Sequence, residues 1–588
     1  MTTATALPGS ASLTHRQIVT ILSGLMMGMF LAALDQTIIA SSIRTIADDL
    51  NGLSNQAWAT TAYLITSTIT TPLYGKLSDI YGRKPFFLGA ITIFVLGSIA
   101  CGFADSILSL AAYRGVQGIG AGGLFSLALA ILGDIVPPRQ RAKYQGYFLA
   151  VFGTSSVLGP VVGGFFAGAD TILGTDGWRW VFFVNVPIGL LALFVVSKVL
   201  NMEHHRVDHR IDWAGAAALV LALVPLLLLA EQGREWGWAS VGSLTCGALG
   251  VLGIVAFLLA ERRAGAEALL PLRMFKNRTV AVGSALNTIV GMGMFGVLAG
   301  LPLYLQIVKG ASPTKAGLLL LPLTAGIMAG SIVAGQLISR TGRYKLFPVI
   351  GAFLLTGSAF LFSRIGLDTS TLDTSLIMVV FGLGLGLNMQ PLILAVQNAV
   401  SPREMGVATS SVTFFRQVGG TLGTAVFLSI LFSTAGGNIT TSFREASSSA
   451  EFQAALNDPV VQADPANAPI LGMLDSVSGS GSLPAGALDD SSFLNAVDER
   501  LARPFLVGFA DSMDLVFLVA ACILALAIVL VRFLPEVPLR MSSGIDAARQ
   551  ERADEAAAAE AEAQTLTHAQ TQPQTPAQST QGGGRLSP

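Results

Sequence analysis

The sequence predicts an all-α polytopic membrane protein, and three observations support that class. Of its 588 residues, 52% are hydrophobic and 12% are charged, whereas about 25% are charged in an ordinary soluble domain. The apolar residues are grouped in stretches of about 20, the length of a helix that crosses a bilayer. Two loop motifs from the first half of the chain also recur in the second half. A water-soluble fold could not bury this much apolar surface.

Fourteen stretches are long and apolar enough to be predicted as spanning helices, because lipid offers no partner for an unpaired backbone amide. These predicted spans lie at residues 18–43, 56–76, 86–104, 107–133, 144–168, 181–199, 212–231, 241–260, 280–305, 316–338, 346–363, 374–397, 405–432 and 509–533. We predict three groups of helices, namely an N-terminal six-helix bundle at 18–199, two inserted helices at 212–260 and a C-terminal six-helix bundle at 280–533.

The basic residues of the short loops predict the orientation of the chain in the membrane. Lys and Arg are retained in the cytoplasm, and the loops that carry Lys84, Arg139 and Arg141 lie on one side if the N-terminus is inside. Residues 1–17 are then cytoplasmic. An even number of spans returns the low-complexity tail 541–588 to the same side, where we predict that it is disordered.

A long polar segment separates the last two predicted spans. Residues 434–507 are rich in Ser, Gly, Asp and Ala, and in this orientation they form an extracytoplasmic loop. The piece SSAEFQAALNDPVVQ is compatible with a short amphipathic helix or with a disordered connector, and the sequence leaves both open. The loop is also a candidate docking surface for a periplasmic protein or a lipoprotein.

The repeated loop motifs indicate a duplicated six-helix unit. GKLSDIYGRKP begins at Gly75 and GQLISRTGRYK begins at Gly335, an offset of 260 residues. IVPPRQR begins at Ile135 and AVSPREM begins at Ala399, an offset of 264 residues. Two similar bundles that rock about one central cavity are the architecture of many secondary transporters.

Two charged residues lie deep in predicted spans. Asp35 and Arg114 are each about eight residues from the same side of the membrane, or roughly 12 Å deep at 1.5 Å per residue. An ionised group at that depth costs at least about 2.5 kcal/mol unless it faces a cavity or a partner. The two groups can therefore meet, either as a proton-carrying carboxylate beside a cation or as a static ion pair that holds two helices together.

Five motifs together resemble the major facilitator superfamily, and more narrowly its fourteen-helix drug:proton antiporters of the QacA and EmrB type. They are GKLSDIYGRKP after the second span, LAAYRGVQGIGAGG in the fourth, GTSSVLGPVVGG in the fifth, LDQTIIASSIRTI in the first and WRWVFFVNVPIG at the sixth. The resemblance covers about residues 15 to 540. It implies the facilitator fold and an exchange of substrate for protons, with Asp35 and Arg114 in proton coupling.

The resemblance also assigns roles to two further groups of residues. Residues of the loop after the second span and the end of the fourth would form a cytoplasmic gate, although their charges would also serve simply to orient the loops; they are Gly75, Asp79, Gly82, Arg83 and Asp134. Residues of the fifth span would form the antiporter hinge, where proline removes a backbone hydrogen bond and glycines allow close packing; they are Gly153, Gly159, Pro160, Gly163 and Gly164.

Polar residues inside other spans are candidates for the cavity and its substrate, or for hydrogen bonds between helices. They are Gln117, Asn287, Gln306, Asn388, Gln390, Arg416 and Gln417. We expect no ATP site, because no G-x-x-x-x-G-K-[ST] motif occurs, and a proton gradient as the energy source. We expect no cofactor, metal site, nucleic-acid partner or enzymatic activity.

Three functions remain open from the sequence. The first is a proton-coupled exporter of amphipathic or cationic hydrophobic compounds from a bacterial cell across its plasma membrane. The second keeps this fold but exports a lipid or glycolipid, with the 434–507 loop as a guide or docking surface. The third is a membrane scaffold or sensor that transports nothing.

Overall fold

The computed structural model describes residues 14–50, 57–200, 212–265, 267–401, 404–481, 483–484 and 492–540. The predicted cytoplasmic tail and residues 1–13 of the predicted N-terminal segment lie outside these ranges. The described chain is helical apart from its connections and one small hairpin, β1 Thr171–Ile172 and β2 Thr175–Asp176. The all-α prediction is confirmed.

The helices follow the predicted spans in chain order. The first nine are α1 His15–Asp49, α2 Ala57–Tyr81, α3 Arg83–Gly102, α4 Ile107–Ile135, α5 Pro138–Ala167, α6 Trp180–Phe183, α7 Asn185–Val199, α8 Trp213–Trp236 and α9 Val241–Ala264. The others are α10 Arg278–Leu303, α11 Pro313–Leu319, α12 Leu321–Thr341, α13 Leu346–Phe362, α14 Thr371–Asn398, α15 Met405–Ala446, α16 Ala450–Leu456, α17 Pro459–Ala463, α18 Ala468–Ser480 and α19 Glu499–Val531. A π-helical segment, Tyr304–Val308, continues α10.

Polar side chains fix the starts of several of these helices. Ser106, Asp212, Asn277, Ser370 and Asp498 each accept a hydrogen bond from a backbone amide of the following turn. Such caps satisfy amides that have no partner inside the helix. The apolar runs therefore begin at defined points along the chain.

Twelve helices in the described part of the chain are long and apolar enough to cross a membrane. The helix α13 has only 17 residues, and α2 is not among the twelve. Much of α2 is the Thr-rich run TTAYLITSTITT followed by the charged residues Lys76 and Asp79, which lower its hydropathy. All fourteen predicted segments are helical, but the count of fourteen spans stays a prediction.

The helices pack as two halves with one separate pair. Helices α1 to α7 pack together around α1 and α4, while α10, α12 to α15 and α19 pack around α14 and α15. The pair α8 and α9 pack mainly on each other, and α8 also contacts α2 and α15. The halves meet along two seams, α2 against α15 and α5 against α12. We refer to the end of the bundle at which α2 terminates as the Asp79 end.

The segment between the last two predicted spans is more ordered than the sequence indicates. The 42-residue helix α15 continues to Ala446, and the 33-residue helix α19 begins at Glu499, so both extend well beyond the roughly 20 residues that cross a bilayer. Their far ends pack with α16, α17 and α18 around an apolar core, which includes Phe443, Phe452 and Leu501. The predicted loop 434–507 therefore begins and ends in helix, because these side chains bury one another and so extend both helices.

Candidate functional site

The Asp35 carboxylate lies at the centre of a buried network in the N-terminal half. Asp35 on α1 is fully buried. Its Oδ2 accepts from Arg114 Nη1 at 2.5 Å, and its Oδ1 accepts from Gln117 Nε2 and from Asn185 Nδ2, both at 2.8 Å. Three donors from α4 and α7 thus converge on one carboxylate, as the ionised form requires.

Arg114, the cation of this network, is also buried and hydrogen-bonded. Arg114 is 1% exposed and donates to Gln117 Oε1 at 2.6 Å and to the carbonyl of Ala59 at 3.3 Å. Its guanidinium also lies over the Tyr63 ring, 4.2 Å from the centroid. A buried ion pair offsets its desolvation only when its remaining donors and acceptors are paired. Here the hydrogen bonds of the ion pair join α1, α2, α4 and α7.

Two members of the network had no predicted site role. Asn185 lies within the WRWVFFVNVPIG motif, but only the motif as a whole was assigned. Ser98 on α3 accepts from Gln117 Nε2 at 2.6 Å. A polar residue within a long apolar run was the available signal for Asn185. Gln117 was a candidate for substrate contact, whereas the structure places it in this network.

A second cluster lies at the Asp79 end. Arg83 Nη1 lies 2.5 Å from Asp79 Oδ1, and Arg83 Nε donates to Asp134 Oδ2 at 2.8 Å. Arg83 also donates to Ser78 Oγ at 2.6 Å. The side chains of all three charged residues are 12% exposed or less. Gly82 precedes Arg83 with a φ of +102°, a conformation that favours glycine, so the tight turn places Arg83 between the two carboxylates.

The Asp79 carboxylate also binds the other half of the molecule. It accepts from the backbone amides of Gly406 at 3.1 Å and Val407 at 2.8 Å, at the start of α15. These are first-turn amides that have no partner within the helix, at its partially positive end. Gly75 allows this approach, because a Cβ there would collide with Ser410 of α15. The predicted gate residues therefore lie at the seam between α2 and α15, and Asp79 connects the two halves there.

Two arginines after α4 hold the same end together. Arg139 donates to the carbonyls of Ser339 and Arg340 at the end of α12, both at 2.9 Å. The fully buried Arg141 donates to Gln397 Oε1 on α14 at 2.7 Å. The sequence indicated only an orienting role for these arginines. Arg141 also donates to the carbonyls of Gly133 and Val136 in its own half, but the partners of both arginines in the other half are backbone carbonyls and a neutral amide that no sequence pattern signals.

The predicted hinge residues of α5 face two different neighbours. Gly159 and Gly163 pack against Thr37 and Ser41 of α1, where a Cβ would collide. Gly153 instead lies against Thr324 of α12, and the Pro160 ring contacts Gly317 of α11. Pro160 lies inside α5, and Gly164 is exposed. The motif therefore packs α5 on α1 within one half and on α11 and α12 across the seam.

The other polar candidates do not gather at one place. Asn287 and Asn388 are buried and donate to carbonyls of their own helices, Gly283 and Gly384. Gln417, by contrast, contacts a different helix. Its Oε1 accepts from Thr71 Oγ1 on α2 at 3.2 Å, across the seam between α2 and α15.

Among the described residues, the remaining candidates have no polar side-chain contact that identifies a role. Gln306 and Arg416 are half-buried, and the buried Gln390 has an Oε1 without a partner in the described part of the chain. Within that part, no group of three or more His, Cys, Asp or Glu residues is placed to hold a metal ion.

The helical bundle and its buried ion pair are those of a polytopic membrane transporter, and comparisons with known proteins identify the family. The model of the Major Facilitator Superfamily matches residues 25–424, so the chain belongs to that superfamily. The protein is accordingly a transporter of the plasma membrane with several spans, and it is not an enzyme. The predicted family and fold class are confirmed.

Several curated proteins are similar over most of this chain. An uncharacterized MFS-type transporter of Mycobacterium tuberculosis is 36% identical over 88% of this chain and 70% of its own length. The multidrug transporter protein MdtP of Bacillus subtilis is 34% identical over 91% of this chain and 96% of its own. Among solved structures, the proton:xylose symporter XylE superposes with a TM-score of 0.56 at 16% identity, covering 91% of this chain and all of that one, which supports the fold alone.

Proposed function

We propose that the protein is a proton-coupled exporter, which moves amphipathic, hydrophobic or cationic compounds out of the cell in exchange for protons. The observation that carries the proposal is the Asp35 network, a buried carboxylate held by three donors. Relatives named as a multidrug transporter and as a tetracycline resistance determinant of Streptomyces rimosus support export of drug-like compounds.

Protonation of Asp35 would change the contacts that hold α1. The ionised carboxylate accepts from Arg114, Gln117 and Asn185 together, whereas the neutral acid has no charge for Arg114 and carries a donor of its own. A proton that enters from outside would therefore loosen α1 from α4 and α7. Its release to the cytoplasm would restore the ion pair, and the cycle would alternate access to the cavity.

The Asp79 cluster would act as the gate of this cycle. It links α2 and α4 to the start of α15, so it holds the predicted cytoplasmic end shut in this conformation. Each proton that enters supplies about 2.3 kcal/mol per 100 mV of membrane potential, plus about 1.4 kcal/mol per pH unit. A few such protons can offset the loss of several hydrogen bonds of this kind.

The test is transport by Asp35→Asn in proteoliposomes with an imposed pH gradient. We expect gradient-driven efflux of a fluorescent cationic drug to be lost, and proton movement on drug addition with it. Asn keeps the shape of the side chain but leaves the buried Arg114 without its counter-charge, so drug binding in detergent is measured on the same preparation to establish that the variant is folded. Asp373→Asn, which changes an exposed acid at the start of α14, is the matched control. Full gradient-driven efflux by Asp35→Asn would overturn the proposal.

A lipid or glycolipid exporter is the second candidate, and the extension of α15 and α19 favours it. These helices and α16 to α18 form a packed apolar core beyond the membrane-crossing length, a structured surface for a guide or for a protein partner. Replacing residues 448–497 by a short Gly-Ser linker tests this role. Loss of lipid transfer with drug efflux retained would favour the lipid exporter, and the reverse result would exclude it.

A further inference from the structure

Two carboxylates lie at the base of the inserted pair, where α8 begins and α9 finishes. Asp212 Oδ1 accepts from the amide of Gly215 at 2.7 Å and so caps α8. Glu261 Oε2, near the end of α9, accepts from the amide of Leu270 at 2.9 Å. Each carboxylate therefore uses one oxygen to fix backbone, Asp212 on its own helix and Glu261 on the segment that leads to α10.

The second oxygens of the two carboxylates lie against the same glycine. Asp212 Oδ2 and Glu261 Oε1 are both buried, and neither has a hydrogen-bond partner among the described residues. Both lie over the Cα of Gly215. A Cβ on that glycine would be 2.9 Å from Glu261 Oε1 and would collide with Asp212 Oδ2. Glu261 as a whole is 1% exposed, so water does not solvate its free oxygen.

Two carboxylates whose buried free oxygens lie on one glycine cannot both be ionised without strong repulsion. One proton between them removes that repulsion and satisfies both free oxygens with a single hydrogen bond. We propose that Asp212 and Glu261 form a proton-binding site, which holds one proton between Asp212 Oδ2 and Glu261 Oε1. The proton comes from solvent and returns to it, and no bond between heavy atoms changes.

The position of the site gives this proton a structural consequence. Among the neighbouring charged groups, Lys76 of α2 interacts electrostatically with Glu261. Asp79, Glu267 and Arg273 interact in turn with Lys76. Leu270, whose amide Glu261 holds, is buried in the core, and Arg273 pairs with Glu404 at the start of α15 at 2.7 Å. The shared proton therefore joins the start of α8 to the end of α9, and Glu261 in turn holds the segment that enters the C-terminal half. This site is independent of the proposed coupling at Asp35.

Infrared spectroscopy of the purified protein tests for the shared proton. At neutral pH we expect a protonated-carboxyl absorption that shifts in D₂O, and we expect Asp212→Asn and Glu261→Gln each to remove it. Glu451→Gln, which changes an exposed acid on α16, is the control and should leave it. An absorption unaffected by both variants at the site, or no such absorption in the wild type, would overturn the proposal.

Thermal stability provides a second test that does not depend on spectral assignment. An amide in place of either acid can donate the bond that the proton makes, so each single variant should match wild type at neutral pH. The wild-type protein should become less stable as rising pH removes the proton. Neither single variant should show this pH-dependent fall in stability. The double variant places two amide NH₂ groups opposite each other and should be less stable than either single one. A double variant as stable as the singles would show that only charge repulsion operates there, and would overturn the proposal.

Discussion

The Asp35 network and the Asp79 cluster are both built from an arginine between acceptors, but they connect different parts of the molecule. Every partner of Asp35 belongs to the N-terminal half, on α4 and α7. Asp79 binds Arg83 in its own half and two backbone amides of α15 in the other. The first arrangement therefore determines how one half is built, whereas the second determines how the halves meet.

This comparison predicts that damage to the Asp35 network appears chiefly as lost stability. Arg114→Met leaves a buried carboxylate without its cation, which typically costs about 3–5 kcal/mol of unfolding free energy. We expect a large fall in the thermal unfolding temperature in detergent, the largest effect of the three changes discussed here. The double variant Arg114→Met with Asp35→Asn removes both charges and should recover most of the loss. A single variant as stable as wild type would contradict the assigned ion pair.

Damage to the Asp79 cluster should instead change the conformational equilibrium. Asp79→Asn removes the charge that accepts from Gly406 and Val407, and hydrogen bonds to a charged group contribute about 1.5–3 kcal/mol. We expect the population closed at the Asp79 end to fall by roughly 10- to 100-fold relative to the open one. Unfolding should change less than it does in Arg114→Met.

Distances between spin labels at positions 81 and 341 check this prediction, in a protein without Cys101, Cys246 and Cys522. The labels lie at the ends of α2 and α12, in different halves of the molecule. Asp373→Asn is the matched control, with an unchanged distance distribution. An Asp79→Asn protein with the wild-type distribution would contradict the gate.

The smallest effect should come from a neutral bond across the same seam. Thr71→Val removes a hydroxyl that lies 3.2 Å from Gln417 Oε1 across the seam and also within hydrogen-bond distance of the carbonyls of Ser67 and Gly122 in its own half, and a bond of this kind contributes about 0.5–1.5 kcal/mol. The closed population should therefore fall by about 2- to 10-fold in the same distance measurement. Thr92→Val removes a bond from a threonine to its own helix and should have no effect on the halves. Equal shifts in both variants would show that the seam bond contributes nothing specific.

Depth along a helix was enough to predict that Asp35 and Arg114 can meet, because rise per residue is constant. The same reasoning did not place Gln117, one turn further along α4, in the network. Helical spacing puts Gln117 on the Arg114 side of α4, but a polar residue inside a span is equally compatible with a cavity. Neither depth nor helical spacing could place Asn185 in the network, because its distance from Asp35 depends on how α7 packs on α1.

At the Asp79 end, the sequence indicated Asp79, Arg83 and Asp134 as one group but not what the group binds. The partners of Asp79 are amides 327 and 328 residues away, and backbone groups carry no sequence signal. The extension of α15 and α19 was missed for a related reason. Hydropathy marks where a helix leaves lipid, whereas these helices continue because Phe443 and Leu501 are buried in one apolar core.

The sequence by itself determined the class of this protein, the order of its helices and the sites where charge enters an apolar span. These properties are local, since lipid selects for about 20 apolar residues in a row and penalises each buried charge separately. Only the tertiary structure decided which buried groups share a site, that Asp79 binds the start of α15, and that Asp212 and Glu261 lie against one glycine. Those outcomes depend on contacts between distant segments, and packing of whole helices brings such segments together.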